Sequence, residues 1–132
     1  MSKRSERDWL TDIVSWGERM RRHIDGVDRA KFLSDEMVQD AVAKCIEALG
    51  EAAGKLDDLD PELDRTVPDL NLKLARKMRD RMSHGYYKID WGIVWDTAST
   101  SIPKTVEAAR SLVRKYDDGD GAGGGASGGP PV

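Results

Sequence analysis

The stretch DEMVQDAVAKCIEALGEAAGKL, residues 35–56, decides the fold of this chain. Its apolar side chains recur every three or four positions, and that spacing places them along one face of an α-helix. The stripe consists of Val38, Val42, Cys45, Leu49, Ala52 and Leu56. Ser34 precedes the stretch as a good N-cap, with Asp35 and Glu36 in the first turn. The pattern predicts a long helix, the most buried of the protein, with Cys45 as a small core residue.

Similar stripes flank this helix on both sides. The apolar spacing from about Ser5 to Ile24 predicts a first helix, which ends at Asp25-Gly26 because glycine accepts the left-handed conformation found at many helix C-termini. Asp69 is expected to cap a third helix that runs to about Ser83. The predicted buried face of this helix consists of Leu70, Leu74, Ala75, Met78 and Met82.

The last helical region is expected after Asp90, a plausible N-cap, and its apolar spacing continues as far as Val113. Pro103 lies inside this pattern and predicts a bend near residues 101–103, since proline kinks or restarts a helix. No segment has convincing strand alternation. The chain is therefore expected to be all-α, an antiparallel bundle of four to five helices.

Composition divides the chain into a helical domain, residues 1–116, and a Gly-rich tail, residues 117–132, that we expect to be disordered. An acidic segment, residues 57–64, suggests a metal site or a solvated linker. The linker is favoured, because no histidine or cysteine lies nearby and the spacing is not that of a calcium-binding loop.

Net charge, cysteine content and apolar content limit the classes of function that the chain can have. The formal net charge of -3 argues against a protein that coats nucleic acid along its whole surface. Cys45 is the only cysteine, so no internal disulfide forms and nothing points to an oxidising compartment. No apolar run approaches membrane-spanning length, and no signal-peptide pattern follows the N-terminus. We expect a cytoplasmic protein without a membrane segment.

Side chains that could act on a phosphate concentrate in the stretch RDRMSHGYY, residues 79–87. Asp80 and His84 are four positions apart on one helical face, where a carboxylate can hydrogen-bond and orient an imidazole. Arg79 is five positions from His84. Arg79 and His84 therefore converge only if the helix loosens near Gly85 or if a second subunit completes the site.

Arginine and histidine without metal ligands suit RNA cleavage by internal transesterification, in which the 2′-hydroxyl of the substrate is the nucleophile. An imidazole can take or return a proton during in-line attack, and a guanidinium can stabilise the charge of the transition state. DNA lacks this hydroxyl and should be refused. The spacing of Arg79 and His84 alone also occurs by chance in many helices, so a structural role for both residues stays open.

The surroundings of this stretch resemble the HepT-like branch of the HEPN superfamily. The similarity extends from about Trp9 to Val113, and it is carried by DEMVQDAV (35–42), IEALGEAA (46–53), RDRMSHGYYKID (79–90) and IVW (93–95). The resemblance implies an all-α HEPN bundle that acts as a homodimer. It also implies a metal-independent ribonuclease that needs no cofactor and serves as the toxin of a type VII toxin–antitoxin pair.

In that family the signature is arginine, a polar residue, a short spacer, histidine, any residue and tyrosine, which this chain matches with Arg79, Asp80, His84 and Tyr86. The resemblance implies that Arg79 contacts the phosphate and the transition state, that His84 is the acid/base and that Asp80 orients it. Further residues predicted to bind the RNA substrate lie on the same basic helix: Arg76, Lys77 and Arg81.

The implied partner is a small nucleotidyltransferase of the MNT type, which transfers AMP from ATP to the motif tyrosine and silences the toxin. Tyr86 matches that position, and the adjacent Tyr87 could be confused with it. A second hypothesis keeps the partner but not the catalysis: a helical module that binds a nucleotidyltransferase and has no nuclease activity. In a third, a purely structural helical protein, the clustering of Arg79 to Tyr86 is a coincidence.

Overall fold

The computed structural model describes the backbone of residues 3–122 and the side chains of residues 3–119. Within this part of the chain there are seven α-helices and no β-strand. The helices are α1 (Glu6–Ile24), α2 (Arg29–Ser34), α3 (Glu36–Leu59), α4 (Leu63–Thr66), α5 (Leu72–Ser83), α6 (Trp91–Asp96) and α7 (Ile102–Ala122). Short 3-10 turns occupy Pro68–Leu70 and Tyr86–Lys88, and a π-helical segment occupies Thr97–Ser101. The predicted all-α bundle is confirmed.

Helix α3 lies at the centre of the bundle, between α1 and α5, and α7 packs against α1. Five of the six predicted stripe residues are at most 2% exposed, and Val38 is partly buried. The α3–α5 contact is close because it is made over Gly50. A Cβ atom at that position would lie 2.2 Å from the Cβ of Arg79 and 2.6 Å from the carbonyl oxygen of Ala75. The small residues of α3 thus bring α5, and with it the candidate site, directly onto the α3 backbone.

Two predicted helix starts are wrong. Helix α3 is capped by Asp35, whose carboxylate accepts the N–H of Val38, because Ser34 is the last residue of the short helix α2. Helix α5 is not capped by Asp69, which lies in the 3-10 turn before it. Asp64 accepts the N–H groups of Leu72 at 2.7 Å and Lys73 at 3.1 Å instead. This cap comes from the preceding element, and a local sequence pattern does not reveal it.

At Pro103 the helical chain continues from α6 through the π-helical segment into α7. Proline has no N–H and its ring crowds the preceding turn, so a change of helical type directly before it accommodates the residue. Helix α7 continues past Tyr116 to Ala122. Directly after Tyr116, Asp117 accepts a hydrogen bond from Arg7 of α1 at 2.8 Å. The first residues of the predicted tail are therefore helical, and residues 123–132 lie outside the described residues. None of the described helices has the length and apolar character needed to cross a membrane.

Candidate active site

The motif straddles the end of α5. Arg79 and Asp80 lie in its last turns, and His84 is the C-cap residue, whose N–H donates to the carbonyl oxygen of Asp80 at 2.9 Å. Gly85 follows, and the 3-10 turn then begins at Tyr86. The helix thus ends where the sequence predicts, and it presents the imidazole at its C-terminus.

Arg79 is held by two carboxylates. Its Nη2 lies 2.9 Å from Oε2 of Glu51 on α3, and its Nη1 lies 3.0 Å from Oδ1 of Asp80. The stem of the side chain packs on Gly50. Its position is therefore fixed at both ends, and a phosphate has to compete with two carboxylates for its guanidinium.

His84 is exposed, and its Nδ1 lies 3.2 Å from the backbone carbonyl oxygen of Asp80. Since a carbonyl only accepts, Nδ1 is the donor in this contact and Nε2 is left to exchange a proton with a substrate. The carboxylate of Asp80 was expected to accept a hydrogen bond from the imidazole, but it accepts from Nη1 of Arg79 at 3.0 Å instead. The contact between Asp80 and the imidazole is made by the main-chain carbonyl oxygen of Asp80.

Arg79 and His84 line different clefts. The cleft at His84 has a volume of about 270 Å³ and is lined by Met78, Arg81, Met82, His84, Gly85, Lys88, Ile89, Asp90, Ile93 and Val94. The cleft at Arg79 has a volume of about 190 Å³ and is lined by Gly50, Glu51, Gly54, Lys55, Asp58, Arg76 and Arg79. Among the described residues the two clefts share no lining residue. The fold of one chain does not bring the two side chains into one cleft.

The two tyrosines have different surroundings. The hydroxyl of Tyr86 donates to Oδ1 of Asp40 on α3, and its ring meets the ring of Trp91 edge-on at 5.7 Å between centroids. Burial and the neighbouring Asp40 carboxylate raise the pKa of Tyr86 to about 12. Tyr87 is 86% exposed, against 44% for Tyr86, and its ring lies 5.5 Å from Nζ of Lys88. The fold therefore holds Tyr86 in place and leaves Tyr87 in solvent.

Asp40 and Glu51 are residues that the sequence analysis missed. Asp40 is 46 positions from Tyr86 in the sequence. The local pattern shows that Asp40 and Glu51 belong to the helix with the core stripe, but it does not show which residues of other helices they contact. Exposed acidic residues interrupting an apolar stripe are ordinary, so nothing in the sequence connects either of them with the motif.

The predicted RNA-binding residues fall into two groups. Arg76 is paired with Asp57 at 3.5 Å and with Asp58 at 2.9 Å. Lys77 and Arg81 are exposed, and neither has a carboxylate within ion-pairing distance in the described part of the chain. The acidic segment is thus more than a solvated linker, because its first residues end α3 and neutralise cations of α5. No group of three or more potential metal-ligating side chains occurs among the described residues.

Comparison with known proteins gives a consistent result. A family model described as "Ribonuclease HepT-like" matches residues 17–112. The "Probable ribonuclease HepT" of Thermococcus cleftensis is 30% identical over 101 residues, which cover 76% of this chain and 89% of that protein. "Putative RNase MJ0125" of Methanocaldococcus jannaschii is 26% identical over 118 residues, covering 89% of this chain and 99% of that protein. No solved structure gives a significant match.

Proposed function

The chain belongs to the ribonuclease HepT-like family, which supports a ribonuclease activity, and from this premise we propose that it is a metal-independent endoribonuclease. The observation that carries the proposal is the position of the two ring nitrogens of His84. Its Nδ1 faces the carbonyl oxygen of Asp80, and its other ring nitrogen is available in a cleft that also contains Arg81 and Lys88. The exposed cations Arg81 and Lys88 attract a phosphodiester to this cleft.

In the proposed reaction the 2′-hydroxyl oxygen of the substrate attacks the adjacent phosphorus, and the bond from phosphorus to the 5′-oxygen breaks. The products are a 2′,3′-cyclic phosphate and a 5′-hydroxyl. His84 exchanges a proton with the attacking or the leaving oxygen, and Arg79 stabilises the charge that develops on the phosphate. Arg79 supports the reaction only when the phosphate displaces one of its carboxylate partners.

A homodimer is part of this proposal. Arg79 and His84 line separate clefts of one chain, so a second copy is the simplest way to place both side chains at one phosphate. In a two-fold dimer each copy gives and receives the same contacts, and two equivalent sites result.

Regulation by a nucleotidyltransferase antitoxin is the remaining part of the proposal. The oxygen of Tyr86 attacks the α-phosphorus of ATP, pyrophosphate leaves, and the phenolic proton passes to a base. Asp40 already accepts the hydrogen bond of that hydroxyl, which supports Tyr86 over Tyr87 as the acceptor. The added AMP carries a negative charge two positions from His84, where it repels an RNA backbone.

The first prediction is that the chain cleaves RNA without a metal ion and that cleavage depends on His84. A cleavage assay on total cellular RNA in the presence of EDTA tests it. We expect cleavage with 2′,3′-cyclic phosphate ends by the wild-type chain. The His84→Ala variant should lose activity by about two to four orders of magnitude, since proton transfer contributes about that much. Circular dichroism should show that the variant is folded, because His84 is exposed at a helix end. Equal activity of the variant would refute the proposed role of His84.

One observation favours a second candidate function. Arg79 is bound to two carboxylates in the free chain, which is also the arrangement expected of a residue that serves a protein interface. A non-catalytic module would bind the nucleotidyltransferase tightly and leave RNA intact. Mass spectrometry of Tyr86 separates this case from a silenced toxin: a folded, unmodified and inactive chain supports the binding module.

A further inference from the structure

The cations near the motif form two groups, one with ion-pair partners and one without partners in the described part of the chain. Those that face α3 are paired with carboxylates: Lys73 with Asp57 at 3.0 Å, Arg76 with Asp58 at 2.9 Å, and Arg79 with Glu51 at 2.9 Å. Arg81 and Lys88 are exposed and have no carboxylate within ion-pairing distance in the described part of the chain. Uncompensated positive charge therefore lies on the His84 side of α5, and a polyanion is attracted to that side.

The cleft on this side has a cationic rim and an apolar interior. The rim is the exposed polar part of the lining, with the cations Arg81 and Lys88 and the imidazole of His84. The apolar lining consists of Met78, Met82, Ile89, Ile93 and Val94, of which Met78, Met82 and Val94 are at most 5% exposed. Ile93 is 44% exposed and leaves an apolar surface in contact with solvent. Apolar walls with a few polar groups are typical of sites for small organic groups, and two methionines let such a wall adapt its shape.

One carboxylate also lines the cleft. Oδ1 of Asp90 accepts the N–H groups of Gly92 at 2.9 Å and Ile93 at 3.2 Å, which fixes the side chain at the start of α6. Its Oδ2 remains as an acceptor, and an amino or imino group on a base edge is a suitable donor. The cleft thus offers an anion-binding rim, an apolar wall and a fixed acceptor within about 270 Å³.

We propose that this cleft binds one nucleotide of single-stranded RNA, with its phosphate at Arg81 and Lys88 and its base against the apolar wall. The inference rests on the proposed ribonuclease function, and it adds a determinant of where the RNA is cut. A base enters such a cleft only when it is unstacked, so loops and single strands are the substrates. The nucleotide in the cleft holds the neighbouring phosphodiester beside His84. Ile93 and Asp90, which face the base, become specificity-determining residues, whereas Arg81 and Lys88 bind the phosphate of any nucleotide.

Binding is tested without any need for cleavage. The 15N-labelled wild-type chain is titrated with each of the four nucleoside 3′-monophosphates and, as a comparison, with inorganic phosphate. We expect saturable NMR shifts at Ile93 and Val94 with at least one nucleotide, whereas inorganic phosphate affects only the rim. Substitution Lys88→Gln should weaken nucleotide binding by about tenfold, because a charge-assisted contact is lost. Absence of saturable shifts at the cleft overturns the inference.

Cleavage specificity is tested with Ile93→Trp, which fills the exposed part of the cleft. The matched control is Leu59→Trp, since Leu59 is 51% exposed, lies at the end of α3 and does not line the cleft. On a random-sequence RNA pool we expect the base preference beside the cut to change in Ile93→Trp and to stay that of the wild type in the control. An unchanged preference in Ile93→Trp overturns the inference.

The remaining outcomes separate this inference from the proposed function. Nucleotide binding at the cleft without any RNA cleavage supports the nucleotide site and contradicts the ribonuclease proposal. RNA cleavage without nucleotide shifts at the cleft contradicts the site alone. If Ile93→Trp dissociates a dimer and nucleotides do not bind, the cleft is covered by a second copy and the inference is wrong.

Discussion

Under the proposed function, the carboxylates of Glu51 and Asp80 limit how available Arg79 is to an RNA phosphate. Glu51 and Asp80 both contact this guanidinium, so the local charge around it is not positive in the free chain. Exposed ion pairs of this kind are weak, and a phosphate can displace them. Each carboxylate that stays near the phosphate nevertheless lowers the affinity.

The second prediction follows from this pair. Glu51→Gln should bind a non-cleavable 2′-O-methyl RNA about two- to fivefold more tightly at low salt, because one negative charge beside the phosphate is removed. Glu47→Gln is the matched control: Glu47 lies on the same helix and accepts the hydroxyl of Ser83 instead of contacting Arg79. Fluorescence anisotropy at low and high salt measures both. Weaker binding by Glu51→Gln would mean that Glu51 holds Arg79 in its binding position.

The third prediction concerns the titration of Tyr86. Burial and Asp40 raise its pKa to about 12, so the phenol stays protonated in the folded chain over a range in which an unfolded tyrosine, with a pKa of about 10, ionises. The folded state therefore binds more protons between these values, and this contribution to stability is lost as the pH rises from about 10 to about 12.

The measurement is the tyrosinate absorbance near 295 nm during a pH titration, with Tyr86→Phe to identify the signal of Tyr86. Asp40→Asn should lower the pKa of Tyr86, since the negative neighbour is removed while the burial remains. Titration of Tyr86 at the same pH in the wild type and in Asp40→Asn would show that Asp40 has no part in the shift.

At this scale the sequence indicated the candidate residues but not the side chains that contact them. Arg79, His84 and Tyr86 were recognised because their residue types and spacing match a family signature. Asp40 and Glu51 were not, because the hydrogen bond of Asp40 and the ion pair of Glu51 join α3 to residues far along the chain. The carboxylate of Asp80 was expected at His84 and contacts Arg79 instead, because both groups are within its reach and spacing alone does not decide between them.

Among the elements, α3 and α5 define the position of the candidate site through a close contact at Gly50, which has no side chain of its own to separate the helices. The fourth prediction is that Gly50→Ala destabilises the protein by about 1–3 kcal/mol, since overpacking a close contact costs about that much. The new methyl group would meet the stem of Arg79 and the carbonyl oxygen of Ala75, and a carbonyl moves only with its helix.

Gly119→Ala is the control for Gly50→Ala. Gly119 lies in α7, and a Cβ atom added there would have no neighbour within 4 Å, so alanine should stabilise the helix by up to about 1 kcal/mol. Urea unfolding of both variants gives the two free energies. Equal stability of Gly50→Ala and the wild type would show that α5 can move away from α3 at little cost.

The helices that carry a strong apolar stripe were predictable, because periodicity depends only on local spacing. The short α2 and α4 were not, since six and four residues are too few to establish a period. The start of α5 was placed wrongly because Asp64 reaches it from α4, and the π-helical segment before Pro103 was expected only as a bend. Element boundaries therefore depended on neighbours in space.

In the molecule as a whole, the arrangement of charge matters more than its total. The formal net charge is -3, yet the acidic end of α3 neutralises the cations of one side of α5 and leaves those of the other side free to meet a polyanion. Composition argues against a uniformly basic surface, and the packing of α3 on α5 decides which cations have an ion-pair partner. This is why two of the three predicted RNA-binding residues, Lys77 and Arg81, lack an ion-pair partner in the described chain while Arg76 has two.

The fifth prediction addresses the two separate clefts. If the reaction needs Arg79 of one copy and His84 of the other, the inactive Arg79→Ala and His84→Ala chains should complement each other. Random exchange puts half of the chains into mixed dimers, and one of the two sites in each mixed dimer is intact, so about one-quarter of wild-type activity should return. The control is a mixture of the His84→Ala chain with a chain that carries both substitutions. No dimer in this mixture contains His84, so the mixture should remain inactive.

Co-refolding of equal amounts of the two single variants, followed by the EDTA cleavage assay, measures this complementation. Native mass spectrometry should report assemblies of about twice the 14.6 kDa chain and should confirm that mixed dimers have formed. Recovery of activity would place the phosphate between two copies, and it would explain why one chain alone keeps Arg79 and His84 in different clefts. Mixed dimers without activity would mean that both side chains act from one copy, which requires the end of α5 to rearrange when RNA binds.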